Sequence, residues 1–396
     1  MDKNQRKFLL FLVLYNLGNT ASITFTNLFL WQSTSNISLL LFYNATVFFS
    51  MAMGGCIAGF LAKWRGTRFT YQTSMALYAC QLLLLVILGN RTQHLVVIVG
   101  IISGLAIGVQ SFAFNVTMQK LTTQTNREQF LGIKTSLLNV VSLISVPLIA
   151  FFIQRFNSYL PFFSIAFVIF LCLIYVLRTL DVHDHTDVFT FENLGTLIYP
   201  NEDLKRFFKA KLLYGMQDGL FWTVLGVITL NFLGSLSHWG IFSGGLTLLT
   251  IVTAYIYGKK ITLANSNYTA VGASILFAMT TIVFAANWNL FAFIAYQVVL
   301  VLLLVSMSVD FDSFLSDILD HDPKIAQLRN EYNAIGEVVT NAGRLIPVIV
   351  LLSLHVSVLD DIPLRIVFLA VAPLPLFIMK IMSETTLLQL ARLEES

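Results

Sequence analysis

Twelve apolar stretches of membrane-crossing length, six before residue 179 and six after residue 208, constrain this chain more than any other feature. A bilayer core of about 30 Å needs about 20 apolar residues per helical crossing. Lipid offers backbone amides no water to bond, so each stretch must satisfy its own as an α-helix. The sequence places the crossings at 8–31, 37–62, 69–89, 94–118, 131–154 and 159–178, then 210–233, 237–258, 266–285, 288–318, 332–355 and 361–382. The expected fold is therefore all-α and polytopic, with 12 transmembrane helices in two six-helix bundles. Residues 1–178 and 209–396 would form the bundles, joined by a polar linker over 179–208. A hydrophobic share of 57% against 11% charged excludes an ordinary soluble domain.

Charge is distributed by loop. Of the 24 Lys and Arg, Lys134 and Arg344 fall inside apolar stretches, and Arg91, Arg155 and Arg365 lie on one set of alternate loops. All the others lie on the second set or near the termini. The positive-inside rule then puts both termini in the cytoplasm and the chain in a cell membrane, with lipid as its first partner. The net charge of +3 follows from this asymmetry and implies no nucleic-acid partner. Residues 1–7 read as a basic lead into the first crossing rather than a cleavable signal. Cys56, Cys80 and Cys172 all sit within apolar runs and suggest no disulfide framework.

The two halves repeat weakly. At an offset of 202, Ser111-Phe112 falls on Ser313-Phe314, Arg127 on Arg329, Asn139 on Asn341 and Leu143-Ile144 on Leu345-Ile346. At an offset of 199, Leu14-Tyr15 falls on Leu213-Tyr214 and Asn19 on Asp218. The matches superpose crossings 4 and 5 on 10 and 11, and crossing 1 on 7, as duplicated transporter halves require. They also extend crossing 10 far enough to carry Asp310, Asp312 and Asp317 on a helix.

The segment after crossing 2 reads Gly59-Phe-Leu-Ala-Lys63-Trp64-Arg65-Gly66-Thr67-Arg68. It resembles the loop signature of the major facilitator superfamily, except that Lys63 stands where that family usually has aspartate. A degenerate copy, Tyr257-Gly258-Lys259-Lys260, follows crossing 8. Stretches 112–116 with 126–128, and 328–332 with 337–344, resemble a poorly characterised Gram-positive bacterial branch of the same superfamily. In that branch arginine often precedes the glutamate, where this chain has Gly336. The resemblance implies a twelve-helix transporter in which crossings 1, 4, 7 and 10 line a central cavity. It also implies a cytoplasmic gate at Gly59, Lys63, Arg65, Gly66 and Arg68; Glu337, close to the cytoplasmic end, is read with Asp317, Arg329 and Glu331 as a gate network.

Ionisable groups within a crossing cost about 2.5–3.5 kcal/mol each on insertion scales, so they face a cavity or a partner. The first half carries Lys134; the second carries Asp218, Asp310, Asp312, Asp317, Glu337 and Arg344. Helical rise places Asp218 and Asp310 roughly 12 Å from the cytoplasmic edge and Arg344 roughly 18 Å. The expectation is a proton- or substrate-binding acidic cluster of Asp218 and Asp310 paired with Arg344, and Asp312 close by. Its alternative is a static ion pair that fixes packing. Asn19, as the counterpart of Asp218, and Asn16 are expected on the cavity wall, while Asn27, Gln110 and Asn115 serve equally as interhelical hydrogen-bonders. Glu331 joins Glu337 in that gate network, and for Glu331 and Lys324 a solvated loop charge weighs equally. Gly100, Gly104 and Gly108 form a small-residue stripe, with shorter versions at Gly55/Gly59 and Gly240/Gly244, and Pro147 and Pro347 are expected to kink their helices.

The resulting function is secondary active transport of a small solute by alternating access, with the proton as candidate coupling ion and a monomer as the working unit. An amphipathic-drug exporter, a lipid or glycolipid flippase and a non-transporting membrane sensor are the alternatives. No P-loop pattern occurs, and the residues lack the paired roles of an intramembrane enzyme, so neither catalysis nor a cofactor is expected. His183-Asp184-His185 with Asp187 is too short a motif to imply a metal. Asp310→Asn should abolish flux while leaving a folded, monodisperse protein; unchanged flux in reconstituted vesicles would remove Asp310 from the mechanism.

Overall fold

The structure is a computed structural model that describes residues 3–122, 127–179, 189–190, 201–260, 263–321, 328–356 and 362–384. Of these, 3, 90, 127–129, 258–260, 263–267 and 308–321 are described by backbone alone. Eleven helices among the described residues are long and apolar enough to cross a membrane. One of them, Ile37–Leu88, has 52 residues. At about 1.5 Å per residue it would reach far beyond a bilayer core of about 30 Å. It breaks at Gly66, whose φ of 84° and ψ of 168° are open to glycine and strained for any side chain. Counted on either side of Gly66, the crossings among the described residues number twelve and match the expected order.

We number them as spans: 1 (Asn4–Thr34), 2 and 3 (the two parts of Ile37–Leu88), 4 (Arg91–Leu121), 5 (Phe130–Phe156) and 6 (Leu160–Thr179). In the second half they are 7 (Glu202–Leu233), 8 (Leu236–Tyr257), 9 (Tyr268–Ala286), 10 (Leu290–Met307), 11 (Arg329–Ser353) and 12 (Ile362–Ser383). The end holding Gly66 and the first residues of spans 1, 7 and 11 is called the basic end here.

Local chemistry explains the ends. Span 1 stops at Ser35, left-handed at φ 48°, and the Asn36 side chain then caps span 2 by accepting from the Leu39 amide at 3.1 Å. Asn201 caps span 7 in the same way, so helix begins at Glu202, inside the stretch read as linker. Gly234, at φ 72°, closes span 7 by donating its amide to the Leu230 carbonyl. Span 12 is interrupted at Pro373, which cannot donate to the preceding turn. The helix of span 10 runs on to His321, so the backbone at Asp310, Asp312 and Asp317 is helical as expected.

Two corrections arise. The 59–68 signature is helical almost throughout, with Gly66 alone breaking it, rather than a loop of six residues. Spans 1 and 7 are also not uniform α-helices: each widens into a π-turn, at Thr20–Thr24 and at Phe221–Leu225. The turns begin just beyond Asn19 and Asp218, the residues that the internal repeat superposes. The repeat thus extends to a shared backbone irregularity.

Helix pairs approach closely where glycines face backbone. Gly104 and Gly108 of span 4 lie against the Val47 and Met51 carbonyls of span 2. Gly240 and Gly244 of span 8 lie against Pro147 of span 5, joining the halves. Spans 7 and 11 approach as closely: Gly215 faces the Thr340 carbonyl, Gly219 faces Arg344, and Gly343 faces the Leu212 carbonyl. A Cβ at any of these three positions would overlap backbone, and backbone cannot move aside as a side chain can. Gly215→Leu should therefore lower the apparent melting temperature, overpacking costing about 1–3 kcal/mol. Gly245→Leu, on an open face of span 8 with nothing within 4 Å of an added Cβ, should leave it unchanged in the same thermal-shift assay.

Candidate functional site

The close approach of spans 7 and 11 brings a partly buried charge pair together. Gly215 and Gly219 flank Asp218, and their contact with the 340–344 turn sets Asp218 beside Arg344. Arg344 Nε donates to Asp218 Oδ2 at 2.7 Å. This is the pairing expected from the sequence. The side chains retain 24% exposure for Asp218 and 13% for Arg344, so the pair is not sealed away.

From this pair a polar chain runs into the other half. Arg344 Nη1 donates to Asn341 Oδ1 at 2.9 Å, and Asn341 Nδ2 donates to the Glu337 carbonyl at 2.8 Å. Glu337 Oε1 accepts from Ser111 Oγ of span 4, which makes a bond between the halves. Glu337 also packs on Gly55 of span 2, where a Cβ would not fit. The Arg344 guanidinium lies 5.2 Å from the Trp222 ring and 5.9 Å from the Phe48 ring, within cation–π range.

Beyond Trp222, away from the basic end, lies a cavity of about 340 Å³. Ile23, Thr24, Asn27 and Leu28 of span 1 form one wall, and the span 7 stretch from Phe221 to Thr229 forms the opposite one. Span 8 adds Trp239, Phe242, Ser243 and Leu246, and span 10 adds Gln297. Both π-turns border it. A π-turn loosens the regular ladder and frees polar backbone, which is why such turns gather at functional sites. Here Asn27 Nδ2 donates to the Trp222 carbonyl at 3.3 Å, across the two halves. Asn27 Oδ1 accepts from Asn44 of span 2 at 3.1 Å, and Gln297 Nε2 donates to Thr229 Oγ1 at 3.2 Å. The lining carries aromatic rings, hydroxyls and amides but no charged side chain among the described residues.

The Thr229–Gln297 bond also fixes depth. Asp218 lies eleven residues below Thr229 and Asp310 thirteen below Gln297, so rise alone puts both roughly 16–20 Å from that bond. The backbone at both positions therefore lies at a similar level, toward the basic end from that bond. The side chains of Asp310, Asp312 and Asp317 lie outside the described residues, as do Lys324 and the His183–Asp187 motif.

Several expectations change. Asn16 donates to the Leu138 carbonyl at 3.1 Å and to Ser142 Oγ at 2.9 Å, tying span 1 to span 5 rather than lining the cavity. Asn19 accepts from Tyr15 at 3.2 Å and is likewise absent from the cavity lining. Asn27, for which cavity lining and interhelical bonding weigh equally in the sequence, is the span 1 amide that does line it. Glu331, for which a gate role and a solvated charge weigh equally in the sequence, is fully buried and accepts from the Thr190 amide at 2.8 Å. That amide belongs to a linker residue whose neighbour, Phe189, is buried against Gly59 and edge-on to Phe60 at 5.0 Å. Lys63, at the position where the signature usually has aspartate, donates to the Phe189 carbonyl at 3.1 Å. Arg65 lies over its own neighbours Trp64 and Phe69, at 4.4 and 5.0 Å. Arg68 follows the Gly66 break and Arg329 opens span 11. Lys134 sits 4.9 Å from the Phe114 ring. Phe189 carried no signal in the sequence beyond being an aromatic in a polar linker.

Comparison with known proteins agrees with this architecture. No family model matches the chain. It is 24% identical over 383 residues to the uncharacterised protein YqgE of Bacillus subtilis (strain 168), covering 93% of this chain and 88% of that one. It is 28% identical over 118 residues to an uncharacterised protein in the sodM 3′ region of Geobacillus stearothermophilus, covering 30% of this chain and 55% of that one. Among solved structures, the nucleoside transporter NupG superposes with a TM-score of 0.65 at 11% identity, over 97% of this chain and 100% of that one. The D-xylose-proton symporter gives 0.68 at 12% identity, over 94% and 96%. The chain therefore has the twelve-helix fold of the major facilitator superfamily and is a multi-pass membrane protein.

Removing one partner of a buried ion pair strands the other, whereas replacing both together relieves the desolvation of each. Asp218→Asn and Arg344→Met should each lower the apparent melting temperature more than the double replacement does, a non-additivity that a thermal double-mutant cycle reads directly.

Proposed function

We propose that this chain is a secondary transporter that moves a small, uncharged polar solute through the cavity between its halves by alternating access. The observation that supports it most is the placement of that cavity. It lies on the seam of the two halves, between paired π-turns, with a charged network directly beneath. Its volume of about 340 Å³ is near the lower end of ligand pockets, about 300–1,000 Å³, which favours a small solute over a bulky amphipathic drug or a lipid. The chemistry of the lining favours a ring-bearing solute with hydroxyl or amide groups. Trp222, Trp239 and Phe242 offer ring faces, and Asn27, Thr24 and Gln297 offer bonds. Two proteins of this fold are named for a nucleoside and for D-xylose with a proton, solutes of that character.

The basic end is cytoplasmic in this reading, with both termini there and the chain in the cell membrane. A single chain supplies both cavity walls, which supports a monomer. The conformation is then closed to the cytoplasm. Opening that side separates spans 2 and 4 from span 11 and breaks the bonds Ser111–Glu337 and Gln119–Asn333 (3.2 Å). It also withdraws Phe189 from between Lys63 and Glu331. Lys63 thus serves the gate by holding the linker, a role suited to a cation where the superfamily's aspartate would repel a carbonyl. Protonation of Asp218 would release Arg344 toward Asn341 and Glu337, so one proton could shift the network that crosses the halves.

Purified protein in vesicles should show saturable counterflow of at least one solute from a panel of labelled pentoses, hexoses and nucleosides. A pH gradient should drive its accumulation, and Asp218→Asn should retain counterflow but lose accumulation. Binding without flux would instead identify a sensor on this scaffold, and flux indifferent to pH would remove the proton.

A further inference from the structure

We infer that Trp222 transmits the state of the cavity to the Asp218–Arg344 pair, and so determines which solutes advance the cycle. The inference rests on the transport reading and adds to it a specificity-determining residue. Trp222 borders the cavity, and the Arg344 guanidinium lies 5.2 Å from its ring. Phe48 of span 2 meets the same ring edge-on at 6.0 Å and 83°, and it too lies beside Arg344, at 5.9 Å. The guanidinium therefore has an aromatic seat made by both halves. The Trp222 backbone sits in the π-turn, and its carbonyl is held by Asn27 of the opposite half.

These contacts leave the indole little independent motion. A solute that stacks on the ring from the cavity side must either match its present position or shift it. A shift alters the seat of Arg344, whose Nε holds Asp218 and whose Nη1 holds Asn341. Weakening the seat loosens the ion pair; a filled cavity that leaves the ring in place preserves it. Solute shape is thereby converted into the state of a charge pair that the solute does not touch.

Gly226 permits a test without a known ligand. It borders the cavity, has ordinary helical geometry, and an added Cβ would meet nothing within 4 Å. Gly226→Leu therefore fills the cavity from its own wall. Gly226 is eight residues above Asp218, about 12 Å along the helix, a distance at which substitutions ordinarily add. Apparent melting temperatures of the full-length protein would be measured for Gly226→Leu, Asp218→Asn and both together, then repeated with Trp222→Leu. The expected result is a departure from additivity of about 2 °C or more with Trp222 present and none with Trp222→Leu. Additivity in both backgrounds, or an equal departure in both, would overturn the inference. Should Asp218→Asn fail to give monodisperse protein, Asp218→Glu takes its place in the cycle. Because no solute is added, absence of flux for every solute tested would count against the transport reading alone.

Discussion

The approach of spans 7 and 11 at Gly215, Gly219 and Gly343 is the contact on which the site depends. Lipid gives two helices no hydrophobic reason to associate, so contact must come from packing and from polar groups between them. Glycine removes the side chains that would hold the backbones apart, and the residue between the glycines on span 7, Asp218, then reaches Arg344. The charge pair is tolerable there because each member has its counter-charge and Arg344 has a further bond to Asn341. The packing and the electrostatics explain one another: without the glycines the pair could not form, and without the pair each charge would be stranded.

Above this contact the backbone departs from regularity at two places related by the internal repeat. The π-turns of spans 1 and 7 lie on opposite walls of one cavity. Bonds across the cavity, such as Asn27 to the Trp222 carbonyl, compensate for part of the disturbed ladder. Toward the basic end the halves meet instead through Ser111 and Glu337 and through Gln119 and Asn333, and the linker's Thr190 amide bonds the buried Glu331. The aromatic floor of the cavity is thus also the roof over the charged network. Such an arrangement makes the seam between the halves a place where binding energy and charge can be exchanged.

How much of this was legible in the residues varies by kind of signal. Crossing number, order and the helical extension of span 10 followed from apolar length and from the repeat. The Asp218–Arg344 pairing followed from depth, because a carboxylate and a guanidinium at similar height in lipid must find partners. The repeat puts Asn19 on the cavity wall as the counterpart of Asp218, and Asn16 is a candidate beside it, yet Asn16 turns to span 5 and Asn19 to Tyr15. Rotation about a helix axis decides that, and a π-turn changes the rotation of every residue beyond it. For Glu331 the solvated alternative fails, because a linker amide holds its carboxylate in a buried position.

The sequence by itself determined that this chain crosses a membrane twelve times in two related halves, since desolvated backbone and apolar length leave no other solution. It also determined which charges had to be neutralised within the crossings. Only the tertiary structure decided that the cavity's described lining is uncharged, that Asn27 rather than Asn19 faces it, and that Phe189 enters between Lys63 and Glu331. Those outcomes depend on helix rotation, on the two π-turns and on contacts between residues more than a hundred positions apart, and none of these leaves a local pattern in the chain.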